Sequence, residues 1–138
     1  MIQPLTQIEV IDNSGAKIGR CIKILRPKGK KYAEVGDLIL LSIQKTQILK
    51  GTTSPSREQI MSGDLYKAVV VRSKKVKGQK STQTVKFTSG DNSAILVKIS
   101  AKTGEYTPVG TRIKGPVSSQ LSDKTGMEKI LSLAKAVI

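Results

Sequence analysis

Apolar residues in this chain arrive in short, β-branched runs, and each run is soon ended by turn-forming residues. That pattern is the signature of strands joined by tight turns. Residues 5–11 alternate loosely and stop at Asp12-Asn13-Ser14-Gly15. Short polar side chains there bond the backbone, and the glycine accepts positive φ. Residues 16–25 read as a second strand, so the first two make a hairpin. Residues 26–36 form a loop with Pro27, Gly29 and Gly36. Residues 37–48 read as a third strand, continuously apolar at its start and therefore expected to be buried on both faces.

Residues 50–63 are small, polar and without periodicity, as in a surface loop. A strong strand over residues 65–72 centres on Ala68-Val69-Val70-Val71, and a basic connection with Gly78 follows over 73–83. A short strand at 84–88, a turn at 89–92, a strand at 93–99 and a turn at Thr103-Gly104 complete the series. Gly110, Gly115 and Pro116 then interrupt regular structure. Met127, Ile130, Leu131 and Ala134 have helical spacing and predict one short terminal helix, with a second helical turn near residues 119–122. Five or six strands plus a small helical tail predict a mainly β fold, a closed barrel, which leaves no open strand edge. The expected organisation is one domain over 1–138, with the barrel in 1–104 and the C-terminal loop and short helices in 105–138.

Charge narrows the function. The chain has 138 residues and carries 24 Lys+Arg against 10 Asp+Glu, a formal net charge of +14, whose natural partner is a polyanion. With 38% hydrophobic residues it also has the means to build a core, unlike a basic tail. Its longest apolar runs, residues 38–41 and 68–71, are far short of a membrane-spanning helix, and no segment pairs a basic face with a large apolar one. No membrane partner is expected.

Catalysis has little to stand on. Histidine is absent, so the commonest general base and metal ligand is missing. Cys21, the single cysteine, sits between strand residues and reads as a small packed hydrophobe. No Cys/His spacing suits zinc, and the carboxylates are scattered, several beside turn glycines. Gly110-Thr111-Arg112-Ile113-Lys114-Gly115 has phosphate-loop spacing, but Pro116 and Val117 stand where Lys and Ser or Thr are needed. The expectation is a non-enzyme with no cofactor and no metal.

Two basic segments without acidic residues stand out: Arg26, Lys28, Lys30 and Lys31 in the first, and Arg72, Lys74, Lys75, Lys77 and Lys80 in the second. Both lie between strands and are expected to project as loops or a ribbon, the second segment with its flanks spanning about 72–87. A single basic run is usually a solvated face, but two on so basic a chain point to contact with a polyanion. Aromatic residues make up only 3%, too few to stack single-stranded bases. Lysines greatly outnumber arginines, which favours phosphate contact over planar base recognition. The expected mode is phosphate and sugar contact with folded RNA.

Several segments, in order, resemble a known family. They are Met1-Ile2-Gln3, Asp12-Asn13-Ser14-Gly15-Ala16, Cys21-Ile22-Lys23, Val35-Gly36-Asp37, Lys67-Ala68-Val69-Val70-Val71-Arg72, Pro108-Val109-Gly110-Thr111-Arg112-Ile113, Gly115-Pro116-Val117 and Lys129-Ile130-Leu131-Ser132-Leu133-Ala134. Together they resemble ribosomal protein L-fourteen of the bacterial and organellar type, essentially end to end. The resemblance implies a five-stranded barrel with a projecting ribbon and a role as a structural constituent of the large ribosomal subunit. It implies binding to large-subunit rRNA, contacts to proteins of the L-three and L-nineteen types, and a bridge to small-subunit rRNA. A ribosome-silencing factor uses the same face in the family. Carried over by motif, Thr111, Arg112 and Lys129 lie on that subunit-facing surface, Asn13, Ser14 and Gly15 form a first-turn signature near rRNA, and Arg72, Lys74 and Lys75 begin the ribbon.

There are departures. Gly78-Gln79-Lys80-Ser81-Thr82 replaces the family's usual Asp-Gly ribbon turn, the 50–63 loop is longer than in typical bacterial members, and Lys135 stands where a helix-ending proline is common. With the lysine bias, these point to a mitochondrial ribosome, with bacterial cytoplasm and chloroplast stroma as alternatives. An N-terminus without a transit-like segment suits a gene read inside the organelle. The alternative function is a free-standing barrel regulator of nucleic acid, which predicts selective oligonucleotide binding. An enzyme acting on an anionic substrate is a third, and it requires a cleft with convergent acid–base groups.

Overall fold

The computed structural model describes residues 2–25, 31–47, 59–74 and 91–137. Strands β1 (Gln7–Val10), β2 (Ala16–Ile24), β3 (Leu38–Thr46), β4 (Leu65–Arg72) and β5 (Ser93–Ile99) pair in chain order, each antiparallel to the next. A parallel pairing of β1 with β5, Glu9 opposite Ser93 and Val10 opposite Ala94, closes the barrel. A short β6 (Tyr106–Pro108) lies outside it and pairs with the far half of β5. A single 3-10 turn at Ser119–Leu121 and one helix, α1 (Glu128–Leu133), follow. The predicted closed five-stranded barrel and terminal helix are thus present, with one strand more than the barrel needs.

The edge of β5 is handed from one partner to the next. The Ile11 amide donates to the Ala94 carbonyl, the Leu96 amide donates to the Asp12 carboxylate, and the Val109 amide donates to the Leu96 carbonyl. A side chain thus stands in for backbone where β1 has ended and β6 has not begun, and it gives the buried Leu96 amide its partner.

Two apolar clusters flank the β4–β5 wall. The barrel interior holds Ile8, Val10, Cys21, Ile39, Leu41, Ile43, Ala68, Val70, Ala94 and Leu96. The opposite faces of the same strands, Val69, Val71, Ile95 and Val97, pack under Ile113, Val117, Leu121, Met127 and Ile130 from the C-terminal segment. A six-residue helix is marginal alone. Burial of Ile130 against the barrel wall holds it in place.

Several expectations are corrected. β3 alternates between fully and half-buried residues along its first half, and burial on both faces falls instead on β4 and β5. The C-terminal segment covers the latter pair, and no apolar run announces which strands a distant segment will cover. The first strand begins at Gln7, because Leu5 has φ 73° and is 75% exposed. β6 falls in a stretch expected to be irregular. The short strand at 84–88, most of the 50–63 loop and nearly all of the ribbon lie outside the described residues.

Candidate nucleic-acid interface

The first turn is built around a buried carboxylate. One Asp12 oxygen accepts from the Ser14 amide at 3.1 Å and from the Ser14 hydroxyl, and the other accepts from the Leu96 amide at 3.0 Å. Burial raises the Asp12 pKa, and these hydrogen bonds oppose that rise. Gly15, at φ 104°, turns the chain into β2, and its carbonyl accepts from the Gln47 amide at 2.7 Å.

Asn13 reaches across to a segment 98 residues away. Its Oδ1 accepts from the Thr111 amide at 2.7 Å and the Arg112 amide at 3.1 Å. Its Nδ2 donates to Thr111 Oγ1 at 2.9 Å. The Lys114 amide donates to the Ile11 carbonyl at 2.8 Å just behind. The approach is so close that a Cβ on Gly110 would lie 2.7 Å from Asn13 Oδ1 and 2.9 Å from Asp12 Cβ. Asn13, Ser14 and Gly15, taken from one motif, and Thr111 and Arg112, taken from another, therefore form one corner. The side chains of Thr111, Arg112 and Lys114 are exposed on it.

The remaining candidates are spread out. Arg72 is half-buried at the end of β4, where its Nη2 donates to Ser93 Oγ at 3.1 Å and its Nη1 underlies Gly115. It therefore supports the C-terminal segment from below. The Lys74 amide donates to Asn92 Oδ1 at 2.8 Å, which ties the base of the ribbon region to the entry of β5. Lys74 and Lys17 line a shallow groove of about 400 Å³ together with Glu9 and Asp91, so the groove is of mixed charge. Lys129 pairs with Glu105 at 2.8 Å on the surface, with both side chains about half exposed. Such a pair contributes little to stability and opens readily. Lys31 is exposed. Arg26, Lys28, Lys30, Lys75, Lys77 and Lys80 lie outside the described residues.

Sequence reasoning does not single out Gly110 or Lys114 as parts of this corner. Only the run Gly110-Thr111-Arg112 hints at it, and the phosphate-loop reading that its spacing raises fails at Pro116 and Val117. Among the described residues, no group of three His, Cys, Asp or Glu side chains could hold a metal ion, and no helix is long and apolar enough to cross a membrane. Compared with known protein families, the chain is matched by the family model described as Ribosomal protein L14p/L23e over residues 1–138.

Proposed function

Since the chain belongs to the Ribosomal protein L14p/L23e family, and is thus a large-subunit ribosomal protein, we propose that it binds large-subunit rRNA and forms part of the face that meets the small subunit. The observation that carries this reading is the shared corner in which the first turn and the Thr111–Arg112 segment are bonded together. In this reading Ser14, Gly15 and the basic residues Arg26, Lys28, Lys30, Lys31, Arg72, Lys74, Lys75, Lys77 and Lys80 face rRNA. Thr111, Arg112 and Lys129 face the small subunit or a silencing factor. Neighbouring proteins of the L-three and L-nineteen types complete the surroundings, and the barrel acts as a rigid spacer between RNA and protein. The protein's work is structural, and the ribosome it serves is mitochondrial.

Phosphate binding carries a quantitative signature. Replacing Lys74, Lys75 and Lys77 with Ala weakens rRNA binding and flattens its salt dependence, by up to about 0.9 log unit of slope for each phosphate that is no longer neutralised. An unchanged slope removes the ribbon from the interface. Gradient fractionation of whole cells and of purified mitochondria tests the placement. The protein should sediment with free large subunits and whole ribosomes of the organelle, and material confined to the top of the gradient contradicts the reading.

A further inference from the structure

We infer that Asn13 is a positioning residue: its side chain holds the Thr111–Arg112 corner in the shape its partner recognises, and makes no contact with RNA itself. The inference rests on the reading of Thr111 and Arg112 as a partner surface. Asn13 is only half-buried, yet both ends of its carboxamide are directed into the protein. The carbonyl oxygen receives two backbone amides and the amino group donates to a hydroxyl, so two acceptor sites and one of its two donors are occupied within the chain. Consecutive amides converging on one oxygen fix the backbone direction at Thr111 and Arg112, and with it the exit vector of the Arg112 side chain.

The surroundings brace this arrangement from several sides. Gly110 has no room for a Cβ, and its bare backbone lets the two segments meet closely on one side. The Lys114 amide bonded to the Ile11 carbonyl and the bridge between Asp12 and Ile113 close the other. Asp12 anchors the turn to β5 through the Leu96 amide, so the corner is referenced to the barrel wall. A shift of the first turn is thereby transmitted to Arg112. The rRNA-facing turn and the partner-facing corner move as one body.

Aspartate at position 13 separates this role from a direct one. A carboxylate keeps the acceptor for both amides, and the Thr111 hydroxyl can rotate to donate to its second oxygen. Positioning is therefore retained in Asn13→Asp and abolished in Asn13→Ala. Direct contact with phosphate predicts the reverse ranking, because a carboxylate is repelled by phosphate. Two measurements on the full chain make the test. Amide exchange by NMR should speed up about tenfold or more at Thr111 and Arg112 in Asn13→Ala, and little in Asn13→Asp. In the unmutated chain, a coupling across the hydrogen bond from the Thr111 amide nitrogen to the Asn13 carboxamide carbon reports the contact without any variant.

The second measurement is subunit joining, followed by light scattering with large subunits reconstituted around each variant. Asn13→Ala should weaken joining several-fold, Arg112→Ala at least as much, and the double variant no more than Arg112→Ala alone. If Arg112→Ala joins normally, the partner-surface reading fails, while the exchange data still decide the role of Asn13. If Arg112→Ala is impaired and Asn13→Ala is normal in both measurements, the positioning role is overturned. Equal impairment of Asn13→Asp and Asn13→Ala overturns it as well.

Discussion

Gly110→Ala is the sharpest test of the corner, because the obstacle is fixed structure on the other side of the contact. The new Cβ would sit 2.7 Å from Asn13 Oδ1, 2.9 Å from Asp12 Cβ and 3.2 Å from the Asn13 amide nitrogen. Ordinary contact begins at 3.4 Å, so the turn and the 110–112 segment must separate by roughly 0.7 Å. Asp12 cannot follow freely, since both of its oxygens are committed to Ser14 and Leu96. The movement stretches the 2.7 Å and 3.1 Å bonds that Asn13 Oδ1 receives, to or beyond the limit of a useful hydrogen bond. Overpacking costs about 1–3 kcal/mol, and two weakened hydrogen bonds add about 0.5–1.5 kcal/mol each. The expected loss of stability is therefore about 2–6 kcal/mol.

Urea unfolding, followed by circular dichroism, measures that loss directly. Gly104→Ala is the control. Its φ of 69° is unfavourable for alanine, but nothing lies within 4 Å of the added carbon, so only the backbone cost of about 1–2 kcal/mol remains. Combining Gly110→Ala with Asn13→Ala should cost less than the sum of the two, since both remove the same bonds. A Gly110→Ala protein no less stable than the Gly104→Ala control would refute the account of the corner.

Packing and charge set three further expectations. Ile130→Ala removes the buried anchor of α1 and should lower the unfolding free energy by about 2–5 kcal/mol; a decrease under about 1 kcal/mol by the same assay would mean that the outer cluster is not part of the cooperative fold. Burial holds the Asp12 pKa above its ordinary value of 3.8, so the contribution of this group is most favourable below 3.8 and is lost as pH rises through the folded-state value. The stability difference between the unmutated chain and Asp12→Asn should therefore fall on going from acid towards neutral pH, and a rising difference contradicts the burial effect. Burial also pushes the Cys21 thiol up, so Ellman's reagent should label it only as fast as the protein unfolds; prompt labelling of the native chain would place Cys21 outside the core.

Much of the barrel is readable because its strands carry their own boundaries. Ser93–Ile99 is predicted to the residue, since turn residues precede it and its centre, residues 94–97, is an unbroken apolar run. Residues 16–25 correspond to β2 with one residue to spare. The short β6 is not legible: three residues near Gly104 and Gly110 carry no period to detect. The burial of β3 is misread for a different reason. Leu38, Ile39, Leu40 and Leu41 are all apolar, but a run of this kind does not say whether anything covers its outer face. For β4 and β5 that cover comes from residues such as Leu121 and Ile130, which local patterning cannot assign to a wall. The corner is the extreme case. Motif reading singles out Asn13 and Thr111, but a bond spanning 98 positions leaves no trace in either local pattern.

Closure through a parallel pairing of the first and fifth strands has a consequence for biosynthesis. Asp12 and Leu96 are separated by 84 positions, and synthesis at about 5–20 residues per second places an interval on the order of ten seconds between them. Throughout that time the opening hairpin exists without its last neighbour, and an isolated hairpin is marginal in water with an edge open to other chains. The excess of positive charge keeps such nascent copies apart. Ring completion is thus a late event of translation, slow in the manner of topologies dominated by distant pairings.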